Sequence, residues 1–522
     1  MLVLLAGYGI KACMIHLRGC MSMKNLYVCK LLYVGQPPIF WRAKSLAISG
    51  TAVTKEVVDR ILDAEKLKYC FECGICTASC SMADMLGSDY NPRNLLERIA
   101  CEPEAVLDSD ELWLCAWCYS CQKRCPQALK LPEIFLLMRK AAKERGGKPF
   151  ERALHKIVKN VPLPLVTMLV CFHPERAGLD NEKVLKEIEE IREEMHKAKR
   201  GEKQAKSLGR VAVIGSGPAG LSCAYELGRK GYGVTVFEAL PELGGMLRKG
   251  IPEHRLPKHV LTKETTYILD LGVEARTNTK IGKDVGFEDL WKEGYKCIFV
   301  SVGAHKSQNL RVEGAELEGV VHALDFLWDS NFGKKMSVGK NVVVVGGGNV
   351  AVDAARTAKC LGAMDVTILY RRSVEEMPAN IWEVGEAQNE GVKVEFLVSP
   401  KRVLGDKGKV TGLECVRMQL GEQDESGRRR AFAVEGSEFK RDADMVVLAI
   451  GEAPDLAFLP KDVELKEDGT VRVNPITLET SMPGVFAGGD AVLGPASVIE
   501  AIRDGKRAAE SIEACLKSSG ER

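Results

Sequence analysis

The sequence predicts an α/β protein with two Rossmann-like nucleotide-binding domains, one inserted in the other, behind an α-helical domain that binds metal. Three observations carry that reading. "RVAVIGSGPAGLSCAYELGRKGYGVTVFEA", from Arg210, and "KNVVVVGGGNVAVDAARTAKCLGAMDVTILYRR", from Lys340, each run strand, glycine turn, helix, strand. Ahead of them stand two runs of four cysteines, in "YCFECGICTASCS" and "LWLCAWCYSCQKRCPQ". Near the C-terminus, "MPGVFAGGDAVLGPASVIEAIRDGKRAA" reads as a short strand, a glycine pair and a helix, the return of the first nucleotide domain after the second.

Length and composition set the frame. At 522 residues the chain is too long for one core, and three or four folding units are expected. Hydrophobic residues at 46% and charged residues at 28% suit a globular protein. The formal net charge is +2, and no basic run is interleaved with aromatics, so no nucleic-acid partner is expected. Of the eighteen cysteines eight are bunched into the two arrays, which points to metal binding and a reducing, cytoplasmic compartment. "VPLPLVTMLVCF" is apolar but short and carries two prolines, so no membrane span is expected. Residues 1–50 differ in composition from the rest of the chain. They read as a poorly ordered extension, or as residues upstream of a true start at Met21 or Met23.

Helical periodicity fills the N-terminal part. "TKEVVDRILDAEKLK" from Thr54, "NPRNLLERIA" with Pro92 near its start, and "LPEIFLLMRKAAKERGG" with Pro132 at its N-terminus each predict a helix. Over 180–207, Val184, Ile188, Ile191 and Met195 form one apolar stripe in a charge-rich helix that connects two modules.

The cysteine spacing specifies its chemistry. Three cysteines two residues apart wrap one side of a cubane cluster and leave its fourth ligand to come from elsewhere. In two-cluster ferredoxins the fourth cysteine of each run ligates the other cluster. The sequence therefore predicts two [4Fe–4S] clusters, one on Cys70, Cys73, Cys76 and Cys125, the other on Cys115, Cys118, Cys121 and Cys80. Zinc sites more often show two separated Cys-x-x-Cys pairs. Pro126 follows Cys125 whereas Ser81 follows Cys80, a difference that touches no ligand.

The glycine turns specify the nucleotides. Gly215, Gly217 and Gly220 form G-x-G-x-x-G after a strand, with Pro218 and Ala219 opening the helix whose N-terminus faces the phosphates. Glu238 ends the next strand, where an acid bonds the free ribose hydroxyl of FAD. The second turn has Gly346, Gly348 and Ala351, with Asn349 and Val350 between. Where Glu238 stood there are now Arg371 and Arg372, which suit the 2′-phosphate of NADPH better than NADH. Gly489 and Asp490 are placed for the flavin ribityl chain and a helix N-terminus.

These motifs carry a family resemblance. From about residue 208 onward the chain resembles the small subunit of NADPH-dependent glutamate synthase, through "GSGPAG", "LGGMLRKGIPEHRLP", "VVGGGNVAVDAARTAKCLGA", "YRRSVEEMPA", "AIGEAP" and "GVFAGGD". From about 54 to 175 it resembles the iron–sulfur C subunit of heterodisulfide reductase, through "CGICTASC" and "LWLCAWCYSCQKRCP". The resemblance implies nucleotide domains of the pyridine nucleotide-disulfide oxidoreductase type. It places Gly245, Met246 and Arg255 in a flavin-facing stretch. It divides the chain into clusters over 51–178, a helical linker over 179–207, FAD over 208–334 and 447–522, and NAD(P)H over 335–446. The implied activity is an NAD(P)H-dependent oxidoreductase moving electrons between NADPH, FAD and two clusters. It would be the electron-input subunit of a larger redox complex with partner subunits. Three alternatives stand beside it: a glutamate synthase small-subunit-like donor, self-contained disulfide reduction, and a non-enzymatic electron carrier with a vestigial nicotinamide site.

Overall fold

The first glycine turn closes the edge of a five-stranded parallel sheet, in the order Val485–Ala487, Cys297–Val300, Arg210–Ile214, Gly233–Phe237, Glu274–Arg276. The structure, a computed structural model, describes residues 70, 73–145, 148–199, 209–424 and 428–520. The helix expected over 54–68, the extension 1–50 and the end of the linker lie outside them.

Strand Arg210–Ile214 is buried on both faces, which is why it reads as a nearly continuous run of Val, Ala and Ile. Helix Pro218–Arg229 packs on the sheet and on helix Val498–Gly520. Strand Val485–Ala487 joins the sheet from the far end of the sequence, so the domain is closed by both parts of the chain. Between those parts lies a second parallel sheet, in the order Val320–His322, Met445–Leu448, Asn341–Val345, Asp365–Tyr370, Lys393–Phe396. It takes in Val320–His322, ahead of the boundary expected at 335. Three residues are too few for a periodic pattern to announce such a strand. A four-stranded antiparallel sheet, Val398–Asp406, Lys409–Gln423, Arg429–Ala433 and Phe439–Asp442, extends this region.

The described residues form two compact units. One runs to Lys156 and adds Glu175–Leu179; the other comprises Ile157–Pro174 and Asp180 onward. The first is helical. Pro92–Cys101 starts with Asn91, whose side chain accepts from Arg93 N at 3.0 Å and Asn94 N at 3.2 Å, with Pro92 in the first turn where no amide is needed. Thr77 Oγ1 donates to the same Asn91 oxygen at 2.8 Å, tying the first cysteine run to this helix.

Residues 157–174, read from sequence as part of the cluster domain, pack in the second unit. Their anchor is Glu264, fully buried on helix Lys258–Leu269. It accepts from Leu165 N at 2.9 Å and Val166 N at 3.3 Å, amides of a helix start that otherwise lack partners. It also pairs with buried Arg192, whose guanidinium lies 4.2 Å from the Tyr267 ring centroid. Arg192 sits on helix Asn181–Lys199, where Val184, Ile188 and Ile191 are buried as the stripe predicted. Glu264→Gln should cost about 1–3 kcal/mol, since it discharges a buried charge-assisted network. Denaturant midpoints followed by flavin fluorescence would check this; an unchanged midpoint would contradict it.

Candidate functional site

The two cysteine runs fold alike. Gly74, after Cys73, has φ 63° and ψ 2°; Tyr119, after Cys118, has φ 62° and ψ 4°. Both residues stand just ahead of a short helix that carries the third cysteine. The fourth cysteines match as well, Cys80 at φ −87°, ψ 115° and Cys125 at φ −73°, ψ 117°. A tyrosine in the left-handed region is costly, and it is held there by burial. Two stretches of different sequence thus adopt one turn.

The thiols group across the runs. Burial, then the neighbouring thiols of Cys76, Cys125 and Cys73, push Cys70 up to about 12. Burial raises Cys76 too, with Cys73 and Cys125 beside it. Cys80 is also pushed up to about 12, by burial first and then by Cys118 and Cys115. Cys121 is raised by burial and by Cys115, Cys118 and Cys80. So Cys125 lies near the first run and Cys80 near the second, while among the described residues no three of these thiols converge on a single metal ion. Crowded, buried thiols resist ionisation, and a bound cationic core is what would draw off their protons. The hydroxyls of Ser81 and Tyr119 are buried in the same region with no hydrogen-bond partner among the described residues, and that of Tyr90 lies against the Cys115 thiol. A cluster with acceptor sulfurs would supply what the first two lack, so the residues fit such a group.

At the first nucleotide turn, Gly215 has φ 97°, and a Cβ there would stand 2.6 Å from Ser301 O. A Cβ at Gly220 would fall 2.0 Å from Gly215 O, so helix and turn touch only because it is glycine. At Gly217 a Cβ would meet nothing within 4 Å, which leaves the backbone amides open to a pyrophosphate. Pro218 is half-buried and Ala219 buried at the start of the helix. Glu238 is oriented by its neighbours, Ser216 N at 2.9 Å and Leu240 N at 2.8 Å, one on each carboxylate oxygen. Oε1 keeps capacity for a ribose hydroxyl, whereas Oε2 is filled by the amide and hydroxyl of Ser216. Ser216 Oγ donates to Glu238 and accepts from Gly244 N at 3.0 Å, so the loop carrying Gly245 and Met246 is fastened to the turn. Ser216 escaped the sequence reading, because it occupies the variable position of the fingerprint.

Gly489 N donates to Asp504 Oδ2 at 3.1 Å, and Ala496 N to Asp490 Oδ1 at 3.2 Å. Burial pushes the Asp490 carboxyl up to about 7, so it both donates and accepts near neutrality. Arg255 is directed elsewhere. Its Nη1 reaches both Asp353 oxygens at 2.8 Å, and Nη2 lies 3.9 Å from Glu383. Burial alone would lower it, but Asp353 and Glu383 reverse this and leave it raised. The guanidinium expected on the flavin side is thus committed to helix Asn349–Cys360 of the second sheet.

That second site repeats the first. A Cβ at Gly346 would stand 2.1 Å from Ala449 O, whereas one at Gly348 would meet nothing within 4 Å. Ala351 is fully buried, Val350 half-buried, and exposed Asn349 accepts from Asn380 N at 2.8 Å. The two arginines diverge. Arg371 is exposed and makes no ion pair among the described residues. Arg372 is buried, donating to Arg429 O at 2.7 Å and to Asp424 Oδ2 at 2.8 Å.

Folding brings Cys297 and Cys515 into contact, a pair the sequence does not announce. Cys297 pairs with Val211 at the start of its strand, whereas the glycine turn follows Ile214 at the other end. Three strand residues, about 10 Å, separate them. This dithiol therefore lies away from the glycine turn.

Residues 209–505 match the family described as pyridine nucleotide-disulphide oxidoreductase, and 66–129 match the 4Fe-4S dicluster domain. The chain is 41% identical over 431 residues to the NADP(+)-dependent formate dehydrogenase subunit beta of Moorella thermoacetica, covering 76% of this chain and 60% of that one. It is 42% identical over 434 residues to the NADPH-Fe(3+) oxidoreductase subunit beta of Geobacter sulfurreducens, covering 76% and 63%. The chain thus spans less than two thirds of the length of either. With the glutamate synthase [NADPH] small chain of Escherichia coli it shares 40% identity over 320 residues, 58% of this chain and 68% of that one. Among solved structures, Mycobacterium tuberculosis FprA in complex with NADPH superposes with a TM-score of 0.52 at 21% identity, over 60% of this chain and 86% of that one, a likeness of fold. No helix among the described residues is long and apolar enough to cross a membrane.

Proposed function

Because this chain belongs to the pyridine nucleotide-disulphide oxidoreductase family, we propose that it moves electrons between NADPH and a protein partner through FAD and two [4Fe–4S] clusters. When bound, the flavin exchanges hydride with the nicotinamide and the clusters exchange single electrons. The chain's own residues bind and orient. Gly217 and Gly348 leave room for two pyrophosphates beside helix N-termini. Glu238 accepts from a ribose, Arg371 faces a 2′-phosphate, and Asp490 holds or gives a proton at its carboxylate near neutrality. Cys70, Cys73, Cys76 and Cys125 hold one cluster; Cys115, Cys118, Cys121 and Cys80 hold the other.

The observation that supports this reading is that Cys125 lies near Cys70 and Cys76, and Cys80 near Cys115 and Cys118, as crossed fourth ligands require. Two isolated structural sites would have no need of such crossing. The relatives named as beta subunits support a place in a larger complex. Within it this chain would be the electron-input subunit, in the reducing cytoplasm that its cysteine arrays suit. Anaerobic titration of the purified protein should show stoichiometric flavin reduction by NADPH, with about eight irons per chain. Zinc, or about four irons, would overturn the cluster assignment. Flavin unreduced by NADPH would favour a carrier with a vestigial nicotinamide site.

A further inference from the structure

Arg139 is a buried cation without a buried anion. It lies on helix Leu131–Lys143 and is 4% exposed. Its Nε donates to Leu112 O at 2.9 Å and its Nη2 to Cys115 O at 2.6 Å. The guanidinium sits 5.7 Å from the Trp113 ring centroid. It makes no ion pair with a carboxylate among the described residues, and the ionisable groups beside it are Cys115 and Tyr90. Carbonyl dipoles and a ring face only partly replace the hydration that a buried charge loses, so such charges are normally paired.

The surroundings of Cys115 are built to match. Trp117 N donates to Cys115 Sγ at 3.4 Å. The Tyr90 hydroxyl is buried among Cys115, Cys80 and Cys121, with the Cys115 thiol as its side-chain hydrogen-bond neighbour. Cation, hydroxyl and amide thus converge on one set of four cysteines. The other set differs. Cys73 is exposed, and the arginine near Cys70, Arg93, is half-buried, with only its Nε fully enclosed.

A [4Fe–4S] core on four thiolates is anionic, and reduction adds one more negative charge. We propose that Arg139 is the counter-charge of the cluster on Cys115, Cys118, Cys121 and Cys80, that Tyr90 is its hydroxyl donor, and that together they hold this cluster at a higher potential than its neighbour. The proposal rests on the ligand assignment above. Net charge and hydrogen bonds to sulfur are the protein's levers on cluster potential, and both favour the reduced, more negative state. Arg139 is a positioning and tuning residue and does not touch the nucleotide chemistry. Electrons would settle on this cluster before leaving through the other or arriving from it.

The test is an anaerobic redox titration of the full chain followed by electron paramagnetic resonance, with iron counted in each sample. The wild type should show two one-electron waves. Arg139→Met should lower one wave by at least tenfold in its reduction constant, about 59 mV, leaving the other in place. Arg139→Lys should restore most of that shift. Tyr90→Phe should move the same wave in the same direction by less. Unmoved waves with full iron, equal movement of both, or a lysine variant no better than methionine would overturn the proposal. If Arg139→Met fails to hold its clusters, Tyr90→Phe decides, since an unmoved wave there is fatal. A wild type short of iron would instead overturn the ligand assignment, a separate result.

Discussion

Serine at Cys80 or at Cys125 should leave flavin reduction by NADPH intact and abolish transfer to a one-electron acceptor that docks at the clusters. Each substitution removes one cluster, so iron should fall from about eight to about four per chain. A serine hydroxyl is a hard donor that keeps its proton near neutrality, and it does not replace a thiolate on iron. The nucleotide sites are built from other elements and should not sense the change.

The crossing of ligands can be tested separately. In the double variant Cys73→Ser, Cys80→Ser, the crossed arrangement loses a ligand from each cluster, and both should be lost. If each run instead served its own cluster, both changes would fall on one, and about four irons would survive. The neighbours of Cys70 and Cys80 favour the first outcome. Full transfer to the native partner in either single variant would mean that electrons leave by another route. The Cys297–Cys515 pair is a weak candidate, because Cys297 is buried at the end of its strand away from the glycine turn.

Much of this was legible in the chain because the signals are local. A glycine turn is written in ten residues, since the strand, the tight turn and the helix start are consecutive. The cysteine spacing was equally readable, and a run of that pitch leaves a fourth position open, which is why an exchange of ligands is proposed. What escaped was nonlocal. Glu264 fastens Leu165 and Val166 across about a hundred residues, and with Arg229 on Lys159 O and Lys506 on Asn160 O it draws 157–174 toward the second unit. Arg255 reads as a flavin-side residue by its motif, yet Asp353, 98 residues on, claims its guanidinium. Arg139 looked like one more charge on an amphipathic helix, and only burial without a carboxylate marks it out. Sequence patterns show which face of an element is apolar, but they do not name the distant polar partner that a buried charge will find.

The arginine pair is a case where that distinction changes a prediction. From sequence, Arg371 and Arg372 together set NADPH preference. The structure separates them. Arg372 is tied to Asp424 and Arg429 of the antiparallel sheet, whereas Arg371 is exposed and without an ion pair among the described residues. Arg428 also stands near Tyr370, so the neighbourhood stays cationic when either is removed. Changing both to alanine should still weaken NADPH far more than NADH. Loss of one charged hydrogen-bonding partner is worth about 1.5–3 kcal/mol, or roughly ten- to a hundredfold. Arg371→Ala alone should account for most of that loss, with thermal stability unchanged. Arg372→Ala should do less to nucleotide choice and more to stability, because it breaks the half-buried ion pair with Asp424. Single-turnover flavin reduction, run with each nucleotide in each variant, separates these effects. Equal losses for NADPH and NADH would reduce the pair to a surface feature. An Arg372→Ala variant that lost NADPH selectivity as fully as Arg371→Ala, at unchanged stability, would show that the buried arginine swings out to bind phosphate.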